Sequence, residues 1–185
     1  MTEPAAPQPA TDDHAAAVAR LILDIPDFPE PGVLFRDLTP VFADPLALRA
    51  ATLGITEPFA GRFDHIGGIE ARGFFLSGAG SALTGAGILA IRKAGKLPRT
   101  TIREEYALEY GTAAIEVHEG ELEPGAKVLI VDDVLATGGT VAAAARLVER
   151  AGWEVAGISV VAELEDLGGR ALLEDRYEVF SLLKF

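Results

Sequence analysis

Two adjacent carboxylates, Asp132 and Asp133, directly follow four apolar residues, Val128, Leu129, Ile130 and Val131. Two residues further on comes a run of small residues, Ala136, Thr137, Gly138, Gly139 and Thr140. The two groups suit different parts of one ligand. A glycine-containing loop at the start of a helix offers backbone N–H groups and a partial positive charge to a phosphate. Paired carboxylates repel a phosphate, but they accept hydrogen bonds from hydroxyls or hold a cation. The stretch therefore asks for a phosphate with hydroxyls nearby, such as a ribose 5-phosphate. The apolar run, 128–131, reads as a strand buried on both faces of a parallel sheet. Residues 141–150 read as a helix that stops at Gly152. Ligands of open α/β sheets sit beyond the carboxyl ends of the strands, where this loop falls.

Other readings of the acidic pair exist. A Walker-B strand requires a G-x-x-x-x-G-K-[ST] elsewhere, and Gly95-Lys96 is followed by Leu97. A plain charge pattern at a helix start is the second. The full stretch, however, resembles the phosphoribosyl-pyrophosphate-binding motif of the type I phosphoribosyltransferases. That resemblance implies that Asp132 and Asp133 hold the ribose 2′- and 3′-hydroxyls. It implies that Ala136, Thr137, Gly138, Gly139 and Thr140 wrap the 5′-phosphate.

Residues 25–40 contain four prolines, which preclude a regular helix. Their Phe28-Pro29-Glu30-Pro31-Gly32-Val33-Leu34-Phe35-Arg36-Asp37 resembles the N-terminal signature of the adenine phosphoribosyltransferases, where it forms a hood over the base. By position, Phe35 would stack on the purine, and the backbone of Leu34 and Arg36 would read its edge. Leu164 matches the residue on the purine's other face, and an ordinary core leucine is the competing reading. Arg72 follows a predicted strand end; an arginine there can grip a phosphate with its forked donors. In the family it matches an arginine on the pyrophosphate side. Ala71 stands where many members have Ser, and the resemblance places a cis peptide at Glu70-Ala71. The one dense basic run begins with Arg92, Lys93 and Lys96 and reads as a flexible loop, 92–99. These three fall where the family contacts pyrophosphate, some across a dimer interface. Composition alone does not choose among Glu104, Glu105 and Glu109. The resemblance selects Glu109, with Tyr110 beside it, as the catalytic pair of a lid spanning about 93–110.

Taken together, the resemblance covers the chain from about residue 25 to its end. It implies a transfer from phosphoribosyl pyrophosphate to adenine, with Mg²⁺ carried by the substrate and not ligated directly by the protein, in a homodimer. Besides a sugar-phosphate enzyme of unrelated chemistry, which the length of the match argues against, the alternatives are a related enzyme for another purine such as xanthine and a transcriptional sensor of phosphoribosyl pyrophosphate. The former conflicts with the hood and with Glu109-Tyr110-Gly111. The latter would need a DNA-binding helix pair and a basic face.

The elements that must position these residues follow from pattern. The 185 residues suffice for one core. The expected architecture is α/β: a mostly parallel sheet flanked by helices, with the small N-terminal hood. Residues 1–13 read as a disordered tail and 14–185 as one domain. Helices are expected at 14–24 (capped by Asp13), 45–58 (capped by Asp44, with Pro45 in its first turn), 74–83 and 167–174. Strands are expected at 65–69, 88–91, 113–117, 155–162 and 179–183. Gly85-Ala86-Gly87 precedes a strand instead of opening a helix after one, so it reads as a turn and not as a dinucleotide fingerprint. A net charge of −12 disfavours general binding to nucleic acid or an anionic membrane. The absence of cysteine excludes disulfides and thiolate chemistry, and three scattered histidines offer no metal-ligand spacing. A cytoplasmic protein is the expectation.

Overall fold

The computed structural model describes residues 11–107 and 111–185. Helix α1 (Thr11–Ala19) leads into a two-stranded antiparallel hairpin, β1 (Leu23–Pro26) and β2 (Leu34–Asp37). The helix is shorter than its periodicity predicts and starts before Asp13, which is therefore no cap. Leu23 and Asp24 leave the helix because β1 pairs with β2, Asp24 opposite Arg36 and Ile25 opposite Phe35. Tertiary pairing here overrides local propensity. Thr11, Asp12 and Asp13 are helical, while the remainder of the expected tail lies outside the described residues.

Helices α2 (Thr39–Ala43) and α3 (Pro45–Thr56) follow. Asp44 caps α3, accepting from the N–H groups of Leu46 at 2.9 Å and Ala47 at 2.8 Å. Such a cap is worth about 1 kcal/mol. Strand β3 (His65–Ile69), helix α4 (Gly73–Thr84) and strand β4 (Gly87–Lys93) form a parallel crossover unit. Gly85 ends α4 in the left-handed conformation, φ 79°, as the turn reading required. The expected lid is in part an antiparallel hairpin, β5 (Thr101–Ala107) with β6 (Thr112–His118). Strand β7 (Lys127–Leu135) runs through both aspartates, four residues beyond the predicted strand end. Helix α5 (Gly139–Arg150), β8 (Glu154–Glu163) and β9 (Val179–Lys184) complete the chain. Residues 167–174 do not form the expected helix. Gly168 is left-handed at φ 67° and divides the segment into two short 3₁₀ turns, Glu165–Leu167 and Gly169–Leu172.

Among the described residues the main sheet has the order β5-β6-β4-β3-β7-β8-β9, with β4, β3, β7, β8 and β9 parallel. Side chains of β7 alternate between two cores. Val128 and Ile130 face the apolar side of α5, with Val141, Ala144 and Val148. Leu129 and Val131 face α1 to α4, with Val18, Val41, Ile55 and Leu76. In both cores each large aliphatic side chain contributes about 1.5–3 kcal/mol by burial. From β3 the chain steps to β4 on one side and returns to β7 on the other. The strand order thus reverses between β3 and β7, and their carboxyl ends open a crevice there. No helix among the described residues is long and apolar enough to cross a membrane.

Candidate active site

The crevice is a cavity of about 570 Å³. Its walls come from several separate parts of the chain. The hood contributes Leu34, Phe35 and Arg36; the β3–α4 loop contributes Glu70, Ala71 and Arg72. Asp132, Asp133, Ala136 and Thr140 come from β7 and the loop after it, and Leu164 from the end of β8. Lys93 and Tyr106 approach from β4 and β5. A smaller cavity of about 90 Å³ adjoins it, sharing Asp132, Ala136 and Thr140 and adding Thr137, Gly138 and Gly139.

Close backbone packing puts Arg72 where it is. A Cβ on Gly68 would overlap Ser77 and stand 2.6 Å from the Gly73 carbonyl; one on Gly73 would stand 2.9 Å from the Val131 carbonyl. Only glycines let the first turn of α4 press onto β3 and β7. The peptide bond between Glu70 and Ala71 is cis, as the resemblance implied. Arg72 Nε then lies 2.8 Å from Asp133 Oδ2. The N–H is not aimed along that line: Asp133 Oδ2 is buried and, among the described residues, has no hydrogen-bond partner. Asp132 Oδ1 accepts the backbone N–H of Asp133 at 2.9 Å. Burial and the neighbouring Asp133 charge push the Asp132 carboxyl well above the usual carboxylate range. Burial also raises Asp133, with the Arg72 guanidinium opposing it.

The small-residue loop ends on the start of α5. Gly138 is left-handed at φ 80°, and Gly139 and Thr140 are the first two helical residues. Their N–H groups have no partner within the helix and are available to an anion.

In the hood, Phe28 meets Phe35 edge to face at 5.2 Å and 71°. The Arg36 guanidinium turns to Asp24 and lies 4.5 Å over the Phe185 ring. Its side chain is thereby occupied. Leu164 donates its N–H to the Leu135 carbonyl at 2.9 Å, tying it to the end of β7.

The basic run is more ordered than its composition suggests. Arg92 and Lys93 belong to β4. Glu70 Oε2 accepts from Arg92 Nε and from the Lys93 N–H, both at 3.1 Å. Arg92 lines neither cavity, and nor does Lys96. Lys96 and Leu97 donate their N–H groups, each at 2.9 Å, to Glu116 Oε1. Glu116 is fully buried on β6 and also accepts from Arg103 Nε at 3.0 Å. Burial alone would raise this carboxyl, but N–H groups of residues 95–97 and Arg103 outweigh it and hold it at about 2. Sequence reasoning passed over Glu116 and Glu70; an acid between Ile115 and Val117 in an apolar strand was the available signal. Glu109 and Tyr110 lie outside the described residues. A second cavity, about 530 Å³ between Leu53, Glu57, Phe63 and Leu83, gathers none of the predicted site residues.

A parallel sheet with this acidic pair and loop at its switch point defines a phosphoribosyltransferase, and residues 46–184 match the family described as phosphoribosyl transferase domain. The matched span leaves the hood outside it. The chain is 59% identical over 167 residues to the adenine phosphoribosyltransferase of Clavibacter sepedonicus, covering 89% of this chain and 87% of that protein. It belongs to the adenine phosphoribosyltransferase family. A solved adenine phosphoribosyltransferase from Rhodothermus marinus superposes with a TM-score of 0.87 at 46% identity, covering 94% of this chain and 99% of that one. The enzyme from Saccharomyces cerevisiae, solved with adenine and an imino-altritol bisphosphate, gives 0.86 at 35% identity over 92% and 99% of the two chains.

Proposed function

We infer that this chain transfers the 5-phosphoribosyl group of phosphoribosyl pyrophosphate to adenine, yielding AMP and pyrophosphate, a purine-salvage reaction. The observation that carries the reading is the convergence of hood, Arg72, acidic pair and small-residue loop on one crevice. The bond from ribose C1′ to the pyrophosphate oxygen breaks, and a bond from adenine N9 to C1′ forms. Positive charge grows on the ribose and negative charge on the leaving group. In this reading Asp132 and Asp133 hold the 2′- and 3′-hydroxyls, and Ala136, Thr137, Gly138, Gly139 and Thr140 hold the 5′-phosphate, so that C1′ is fixed in line for attack. Arg72, Lys93, Arg92 and Lys96 stabilise the departing pyrophosphate. Phe35 and Leu164 sandwich the base. Glu109 takes the proton at N7, which raises the nucleophilicity of N9. Tyr110, next in sequence, is assigned to the same step, and the β5–β6 hairpin closes over the site to exclude water.

Mg²⁺ fits the donor set at the crevice, since Asp132 and Asp133 present hard carboxylate oxygens and one of these is without a hydrogen-bond partner among the described residues. It would enter with the substrate and supply charge neutralisation at the pyrophosphate. The two aspartates would meet it through the ribose they hold.

The backbone of Leu34 and Arg36 favours adenine by polarity. A carbonyl accepts from the 6-amino group and an N–H donates to N1, whereas hypoxanthine and guanine reverse both groups. Such reversal can discriminate by up to about 10⁴ where buried groups are left unpaired. The test is calorimetry on Phe35→Ala. Adenine affinity should fall while phosphoribosyl pyrophosphate affinity holds, and equal loss of both contradicts the stacking role. The proposed assembly is a homodimer. It is supported by α4, which bears no charged residue and leaves Phe75 55% exposed. Sedimentation should give twice the chain mass; a monomer at micromolar concentration contradicts it.

A further inference from the structure

Behind the small-residue loop lies the 3₁₀ segment after β8, to which no role has so far been given. Gly169 sits against the loop's backbone. A Cβ there would overlap the Ala136 carbonyl oxygen and stand 2.8 Å from the Gly138 nitrogen, and a Cβ on Gly138 would stand 2.5 Å from the Gly169 carbonyl. Gly169 is buried and has no positive φ, so its lack of a side chain serves the close approach and not the backbone angle. Gly168 is the reverse: φ is 67° and a Cβ there would meet nothing within 4 Å.

The segment is itself anchored. Arg170 donates to both oxygens of Glu163, at 2.8 and 2.5 Å, to the Val179 carbonyl at 2.9 Å and to Ser181 Oγ at 3.0 Å. Glu163 is buried, and the bidentate partner holds its carboxyl below the usual range. The same short segment begins at Leu164, which lines the crevice.

We propose that Gly169 is a positioning residue for the 5′-phosphate: with Arg170 as its anchor, it forms a rigid back wall that fixes the curvature of residues 136–138. This deepens the phosphoribosyltransferase reading and rests on the loop being the phosphate site. A Cβ at Gly169 pushes the loop toward the ligand, and loops misplaced by about 1 Å cost on the order of 10²-fold in a positioned site.

The experiment measures binding of ribose 5-phosphate, pyrophosphate and adenine separately to four proteins: unmodified, Gly169→Ala, Gly168→Ala and Thr140→Val. Gly169→Ala should weaken ribose 5-phosphate by about tenfold or more and leave pyrophosphate and adenine unchanged. Gly168→Ala should lower the thermal midpoint through backbone strain and leave all three affinities unchanged. Thr140→Val should weaken ribose 5-phosphate, which tests the loop reading alone. Loss in Thr140→Val with none in Gly169→Ala overturns the back wall, as does equal loss in Gly168→Ala and Gly169→Ala. Ribose 5-phosphate affinity untouched by both Thr140→Val and Gly169→Ala overturns the loop reading and the inference with it. Should Gly169→Ala not fold, Arg170→Lys carries the test, since it loosens the anchor and adds no atom against the loop. The same selective loss is expected, and unchanged ribose 5-phosphate affinity contradicts the proposal.

Discussion

Asp132 and Asp133 are placed against the interest of stability. Two neighbouring carboxyls at a buried strand end repel each other and lose hydration, and both are pushed upward. A pair so placed is relieved when hydroxyls donate to it, which is what a ribose brings. The acid–base group is a separate matter of residue chemistry. Glu109→Gln should cost roughly 10²-fold in turnover with little change in phosphoribosyl pyrophosphate affinity, as expected for a positioned proton acceptor. Pre-steady-state product formation measures it, and near-normal turnover rejects the role. At this scale the placement of the aspartates and the loop after them was legible, because an apolar run followed by acidic and then small residues marks a buried strand running into a helix start. Glu116 and Gly169 were not. A buried acid shows its donors only once β4, β5 and β6 are assembled, and a glycine at an ordinary φ shows its purpose only when the opposing backbone is in view.

Elements carry the next level of control. Glu116 joins the hairpin to the basic turn after β4. Its carboxyl lies at about 2 when folded, below the 4.5 of an unperturbed glutamate. A depressed folded value means that the stabilisation is complete above the unfolded value and is lost as pH falls through the folded one. The melting temperature of Glu116→Gln should therefore sit well below that of the unmodified chain from pH 7 down to 5. The gap should narrow as pH falls from about 4.5 toward 2. A gap independent of pH across that range contradicts the assignment. Glu104 adds a second fastening, pairing with Arg146 and Arg150 of α5 at 2.8 Å each. Most elements could be read from pattern, above all β7 with α5 and the Asp44-capped α3. Two of the failures share a cause. β1 broke the predicted first helix because a partner strand eleven residues away claimed its backbone, and β5 emerged from an expected loop by pairing with β6. Periodicity in one window does not contain its partner.

At the scale of the whole molecule, an acidic chain brings a few of its cations to the crevice and its edge. Lys93 and Arg72 line the crevice, and Arg92 and Lys96 flank the turn beside it, in a protein of net charge −12. The sheet's reversal between β3 and β7 gathers groups from several distant stretches into one volume, and the hood closes one end of it. In the proposed reading the base is chosen by one part of the chain and the phosphoribosyl group held by another. The most direct measurement is nucleotide formation from phosphoribosyl pyrophosphate and Mg²⁺ with adenine, hypoxanthine, guanine or xanthine. AMP from adenine, with no nucleotide from the other three, is the predicted result. Efficient nucleotide formation from any other base, or none from adenine, would contradict it.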